Sequence, residues 1–277
     1  MKFYISILSL LLISFTILAK PKYVFYLSLD GVSRETFFSL VHKNKLPNIQ
    51  SVIKSGGIRN LVINNDDITT KNTLVAQFSG LNENEVLTSG NYLDFEATIF
   101  NVLYKENLSY SLFYDNRANQ NSKLFFKNFP TPNIVIEEKK YSYTSAFNIL
   151  LNAVQEKREE NKSFLTFANM AEPLLIARKS REGGEQYSES IQRFDRALGL
   201  FLEKLRQLDL FDQTSLYITT NYAFFPRSRL EFNPKIWLVS SEKIYYTGSQ
   251  KSIVPTLLKV LEIPYSHEDY PAKRLTY

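Results

Sequence analysis

Asp30 closes a short apolar and aromatic run, Tyr23 to Leu29, and is followed by Gly31. α/β sheets place ligands where a buried parallel strand delivers a polar residue at its carboxyl end. Asp30 is therefore either a site residue or the cap of the next helix. Thr70-Lys71-Asn72 leads into Thr73 to Phe78, a run apolar enough for a buried helix. Thr70 suits an N-cap there, and Lys71 with Asn72 at the amino end of that helix favours a phosphate-like anion through the helix dipole. Asp66-Asp67 reads as a solvated turn. Of the two histidines, His42 stands at the end of the first helix, where a surface cation suits the dipole. His267 lies in the tail Ser266-His267-Glu268-Asp269, whose alternatives are a solvated end and a metal ligand. The chain has no Cys, which excludes disulfides, thiolate metal sites and a cysteine nucleophile.

The elements that must carry these residues alternate in type. Tyr23 to Leu29 reads as a strand, Arg34 to Lys43 as a helix, and Leu46-Pro47-Asn48 opens a second helix that stops at Gly56-Gly57. Strand Leu61 to Asn64, the Thr73 helix ending before Gly80, helix Glu96 to Tyr104 and strand Tyr110 to Tyr114 follow. Asn116 to Asn133, rich in Asn, Lys, Phe and Pro, reads as irregular. Then come Ile134 to Glu137 as a strand, Tyr143 to Glu156 as a helix and Phe164 to Ala168 as a strand. From Glu185 to Leu208, Ile191, Phe194, Leu198, Phe201, Leu202 and Leu205 share one helical face. Strands at Leu216 to Thr220 and Lys235 to Ser240 and a helix at Ser252 to Leu261 complete the set. This alternation predicts a single three-layer α/β/α domain with a mostly parallel sheet.

The 277 residues are 44% hydrophobic and carry a net charge of +5, with the basic residues scattered among 28 acids. That composition supports a sizeable core and shows neither a nucleic-acid stripe nor a polybasic membrane patch. Met1 and Lys2 precede the apolar stretch Phe3 to Ala19, which reads as a secretory signal removed after Ala19, with an uncleaved membrane anchor as the alternative. The expected organisation is thus residues 1–19 as signal and 20–277 as one domain, secreted or periplasmic, with no stable membrane span after signal removal.

The order of motifs resembles the alkaline phosphatase superfamily, most closely its type I phosphodiesterase and nucleotide pyrophosphatase branch. The resemblance runs from about Tyr23 to about Arg274. It rests on Leu27-Ser28-Leu29-Asp30-Gly31, Leu46-Pro47-Asn48-Ile49, Ser55-Gly56-Gly57 and Thr70-Lys71-Asn72-Thr73-Leu74 through Ser79-Gly80. Asp195-Arg196-Ala197-Leu198-Gly199 and Ile253-Val254-Pro255-Thr256-Leu257-Leu258 with Ile263-Pro264 continue it. What the resemblance implies is a sheet bearing two divalent ions, usually zinc, with Asp30 as a metal ligand and Thr70 as the nucleophile of phosphoryl transfer.

The remaining ligands of that pattern are missing. Where the family has Asp and His four residues apart, this chain has Ala171 and Leu175, or Glu172 and Ile176 in a register shifted by one. Thr219-Thr220-Asn221-Tyr222-Ala223 stands where Ser-Asp-His-Gly is expected, so Asn221 keeps an oxygen without a charge and Tyr222 is a poor zinc ligand. No late His appears near Tyr246 to Gln250. Two readings follow. The chain is a degenerate member with no cofactor and a reused anion pocket, or a metal-dependent phosphoester hydrolase working with Thr70, Asp30, Asn221 and an incomplete site.

Overall fold

The structure is a computed structural model and describes residues 22–63, 70–81, 94–117, 126, 128–130, 134–137, 140–160, 162–180, 182–221, 235–266 and 270–276. Its elements, in chain order, begin with β1 (Tyr23–Leu29), α1 (Arg34–His42), α2 (Pro47–Ser55), β2 (Gly57–Val62), α3 (Thr70–Ser79), α4 (Ile99–Lys105), β3 (Ser109–Asp115) and β4 (Ile134–Glu137). They continue with α5 (Tyr143–Glu159), β5 (Phe164–Met170), α6 (Glu172–Lys179), α7 (Glu185–Gln207), β6 (Thr214–Thr219), β7 (Lys235–Ser240), β8 (Gly248–Ser249) and α8 (Ile253–Val260).

The eight strands form one sheet in the order β4-β3-β5-β1-β6-β7-β2-β8. β7 runs against its two neighbours, whereas the other pairings are parallel. All seven residues of β1 and of β5 are buried, as strands covered on both faces must be. One face packs Tyr23, Phe25, Leu27 and Leu29 against α1, α2, α5 and α7. The other packs Val24 and Tyr26 against α3, α4 and α8. The expected three-layer α/β/α arrangement with a mostly parallel sheet is what the chain adopts.

Departures from the sequence reading are local. β2 starts at Gly57 rather than Leu61, and the Glu96 helix splits into a short turn at Phe95–Ala97 and α4. The region after Met170, read as a ligand-bearing turn, is the helix α6, opened by Glu172-Pro173 with Pro in its first turn.

The motifs quoted for the resemblance turn out to hold elements together. Asp195 of α7 accepts from the backbone N–H of Ile49 (2.8 Å) and of Asn48 (3.3 Å) and from Asn48 Nδ2 (3.0 Å). It thereby satisfies the open amino end of α2, whose own preceding residue offers no side-chain cap. Gly199, one turn along α7, makes room for that contact, since a Cβ there would lie 2.6 Å from Asn48 Oδ1. Gly199→Ala is expected to push Asn48 off Asp195 and lower stability by about 1–2 kcal/mol, read as a lower denaturation midpoint.

Candidate functional site

The carboxyl ends of β5, β1 and β6 lie side by side, with Asn169, Ser28 and Thr219 in register. Asp30 follows β1 immediately and is fully buried. Its N–H donates to the Met170 carbonyl (3.0 Å), and its Oδ1 accepts from Asn169 Nδ2 (2.6 Å). Among the described residues its Oδ2 has no hydrogen-bond partner. Burial drives the Asp30 carboxyl well above the usual carboxylate range; the Asn169 bond and Arg178 oppose the shift, and the Asp115 charge adds to it.

On the β6 side two glutamines reach the segment that leaves the sheet. Gln77 of α3 donates to the Thr220 carbonyl (3.4 Å), and Gln250, just before α8, donates to the Asn221 carbonyl (2.8 Å). Asn221 itself is fully buried. These bonds fix which end of each glutamine amide points where; among the described residues Gln77 Oε1, Gln250 Oε1, Asn169 Oδ1 and Ser28 Oγ have no partners. Each is a buried oxygen that a ligand or ordered water would satisfy. Neither glutamine stood out in the sequence, because an isolated neutral amide has no characteristic spacing.

A second buried carboxylate ties the neighbouring strand to the same end. Asp115, the last residue of β3, accepts from Arg117 Nε (2.8 Å) and Nη2 (2.7 Å) in a two-point pair. The same carboxylate accepts from the backbone N–H of Arg117 (3.1 Å) and of Ala171 (3.2 Å). The guanidinium also lies over the Tyr141 ring, 4.7 Å from its centroid. Glu172, the alternative carboxylate beside Ala171, is engaged elsewhere: it accepts from Arg193 Nη2 (2.6 Å) and Nε (3.2 Å) of α7.

Thr70, Lys71 and Asn72 form the first turn of α3, which places all three on one helix start; their side chains lie outside the described part of the structure. Asp66, Asp67, Tyr222, Ala223, His267 and residues 1–19 lie outside the described residues altogether. His42 ends α1 at the surface, edge-on to Phe38 at 6.2 Å, in keeping with its surface reading.

No protein-family profile and no curated protein matches the sequence. Solved structures do match in shape. A protein in the alkaline phosphatase superfamily from Vibrio parahaemolyticus superposes with a TM-score of 0.66 at 14% identity, covering 91% of this chain and 72% of that one. The lipoteichoic acid synthase LtaP from Listeria monocytogenes gives 0.60 at 12% identity, over 92% and 74%. The alkaline phosphatase of the Antarctic bacterium TAB5 gives 0.60 at 12% identity, over 89% and 99%. The chain has the fold of the alkaline phosphatase superfamily.

Within that fold the donors at the described positions do not match a pair of zinc ions. Zinc takes four nitrogen, sulfur or anionic oxygen ligands. At the sheet end only Asp30 supplies a carboxylate at a ligand position of the quoted motifs, and one of its oxygens is already bonded to Asn169. Ala171 is buried and apolar, Leu175 is a half-buried position on α6, and Asn221 is uncharged. Among the described residues no three His, Cys, Asp or Glu side chains come together. What the described residues offer at this sheet end is a buried Asp30 carboxyl that resists ionising, bonded to the Asn169 amide, with the arginine-paired Asp115 carboxylate near it.

Proposed function

We propose that this chain is an exported relative of the type I phosphodiesterase and nucleotide pyrophosphatase branch whose metal centre has been exchanged for hydrogen-bonded neutral side chains. It keeps the pocket to bind a phosphate-like anion rather than to hydrolyse one. In this reading residues 1–19 are removed on export, residues 20–277 form the domain, and Lys71 and Asn72 at the start of α3 receive the anion. The carrying observation is the 2.6 Å bond from Asn169 to Asp30, with apolar Ala171 next along the same strand end. A variant of the TAB5 alkaline phosphatase has magnesium bound in its M3 site. Here the residue that would grip a cation is instead paired with an amide.

Losing one electrostatic partner of a transition state costs about 10²–10³ in rate, and such losses are not additive where residues act as a unit. In this reading most of those partners are replaced, and the Thr70 hydroxyl is left without the two-ion centre that would activate it. Elemental analysis of the purified chain is expected to find well under one zinc per molecule. Hydrolysis of a chromogenic phosphodiester with added zinc or manganese is expected at background and unchanged in Thr70→Ala. Stoichiometric zinc with turnover abolished by Thr70→Ala would establish the hydrolase reading instead. The mass of the same exported sample, beginning at Lys20, checks the export step. Among the described residues no helix is long and apolar enough to cross a membrane.

A further inference from the structure

At the opposite end of the sheet, a cavity of about 190 Å³ opens between α2, the last turn of α7 and the start of β6. It exists because β7 runs backwards. The residues that follow β7, Ser241 and Glu242, are thereby brought beside Thr214 and Leu216 at the beginning of β6. Its floor is apolar: Val52, Leu202 and Leu216 are all buried. Its walls carry opposite charges that are not spent on each other. The Arg206 guanidinium lies over the Phe211 ring at 4.2 Å, and among the described residues it makes no ion pair. Glu242 is held in place from one side, its Oε1 accepting from Ser215 Oγ at 2.6 Å, and Asp212 also lines the cavity.

An exposed guanidinium stacked on a ring and a carboxylate held by a serine hydroxyl line one small cavity over an apolar floor, and they suit a ligand with the reverse polarity at its own two ends. The volume is below the range of about 300–1,000 Å³ typical of drug-sized ligands and well above that of one buried water. The geometry points to a binding site for a small zwitterion with an apolar body, a free α-amino acid, whose carboxylate meets Arg206 and whose ammonium meets Glu242 and Asp212. A guanidinium already stacked on an aromatic ring loses little freedom on pairing with a carboxylate. This site is independent of the β1, β5 and β6 strand ends and of any reading of them.

The test is calorimetric titration of the full chain with L-leucine and L-phenylalanine. 3-Methylbutan-1-amine and 4-methylpentanoate serve as probes that each carry one of the two charges. Saturable binding with a Kd of about 1 mM or tighter is expected for at least one amino acid, and at least about tenfold weaker binding for both single-charge probes. Arg206→Gln is expected to weaken the amino acid and the carboxylate probe about tenfold while leaving the amine probe unchanged; Asp212→Asn should do the converse. No saturable binding of either amino acid up to about 10 mM, or single-charge probes that bind as well as leucine, would overturn the assignment. Both arms on the unaltered chain decide the matter even where a variant folds poorly.

Discussion

Arg117→Ala is expected to lower stability by about 3–5 kcal/mol, the usual cost of stripping the partner from a buried ion pair. Asp115 is fully buried, and Arg117 is largely so, with its side chain 19% exposed. Without the guanidinium, the carboxylate keeps only the backbone N–H groups of residue 117 and of Ala171 at 3.1 and 3.2 Å. Two weak donors do not replace a two-point charged pair in a low-dielectric setting. Arg117→Lys keeps the charge but not the planar fork, so an intermediate loss is expected. The double variant Asp115→Asn with Arg117→Met is expected to recover most of the loss. It removes both charges and keeps an oxygen for the Ala171 N–H. Urea denaturation midpoints of the three variants read the order directly; an Arg117→Ala chain within about 1 kcal/mol of the parent would show that the pair contributes little. The consequence reaches the site, because the Ala171 contact ties β3 to the turn where the quoted motif pattern has its Asp.

Asp115 and Arg117 also show where sequence reading stops. The strand was legible from Tyr110 to Tyr114, one residue short at each end, and the residues after it read as irregular. Yet Asp115 stands to β3 as Asp30 stands to β1, a polar residue at the carboxyl end of a buried strand, so the signal that found Asp30 was available for it. Long elements with repeated apolar spacing, such as α7 and β1, were legible almost to the residue, because burial on a face imposes a period. α6 was not. Residues 171–175 align with the ligand motif of the resemblance, whereas Glu172-Pro173 is itself a helix start signal. The strand order, with β7 reversed between β6 and β2, depends on contacts across the whole chain, and no local pattern encodes it. The meeting of Gln77 and Gln250 on the carbonyls of Thr220 and Asn221 is of the same kind. Each is an ordinary polar residue until the fold brings α3 and the turn before α8 to the segment after β6.

Asp30→Asn separates a metal ligand from a buried neutral acid more sharply than any other single change. In a metal-binding site this variant loses the ion and its stabilisation. Here the folded-state pKa of Asp30 is raised, chiefly by burial, so between the unfolded value near 3.9 and the folded value the native state binds more protons than the unfolded one. Stability then falls as pH rises through that window. The contribution of a protonated Asp30 is complete below the unfolded pKa and is lost as pH climbs through the folded pKa. Asparagine has the same shape, offers Asn169 the same acceptor and never ionises, so it escapes that loss. At pH 7–8 Asp30→Asn is expected to be more stable than the parent by about 2–4 kcal/mol, the scale of the effective penalty for a buried ion. The two should converge as pH falls below the unfolded value near 3.9, where the parent carboxyl becomes protonated in both states. Denaturation midpoints from about pH 3 to pH 8, with and without added zinc, measure this. A variant that is less stable at pH 7, or a parent that alone gains stability from zinc, would place a cation on Asp30 and restore the site to a metal-binding one.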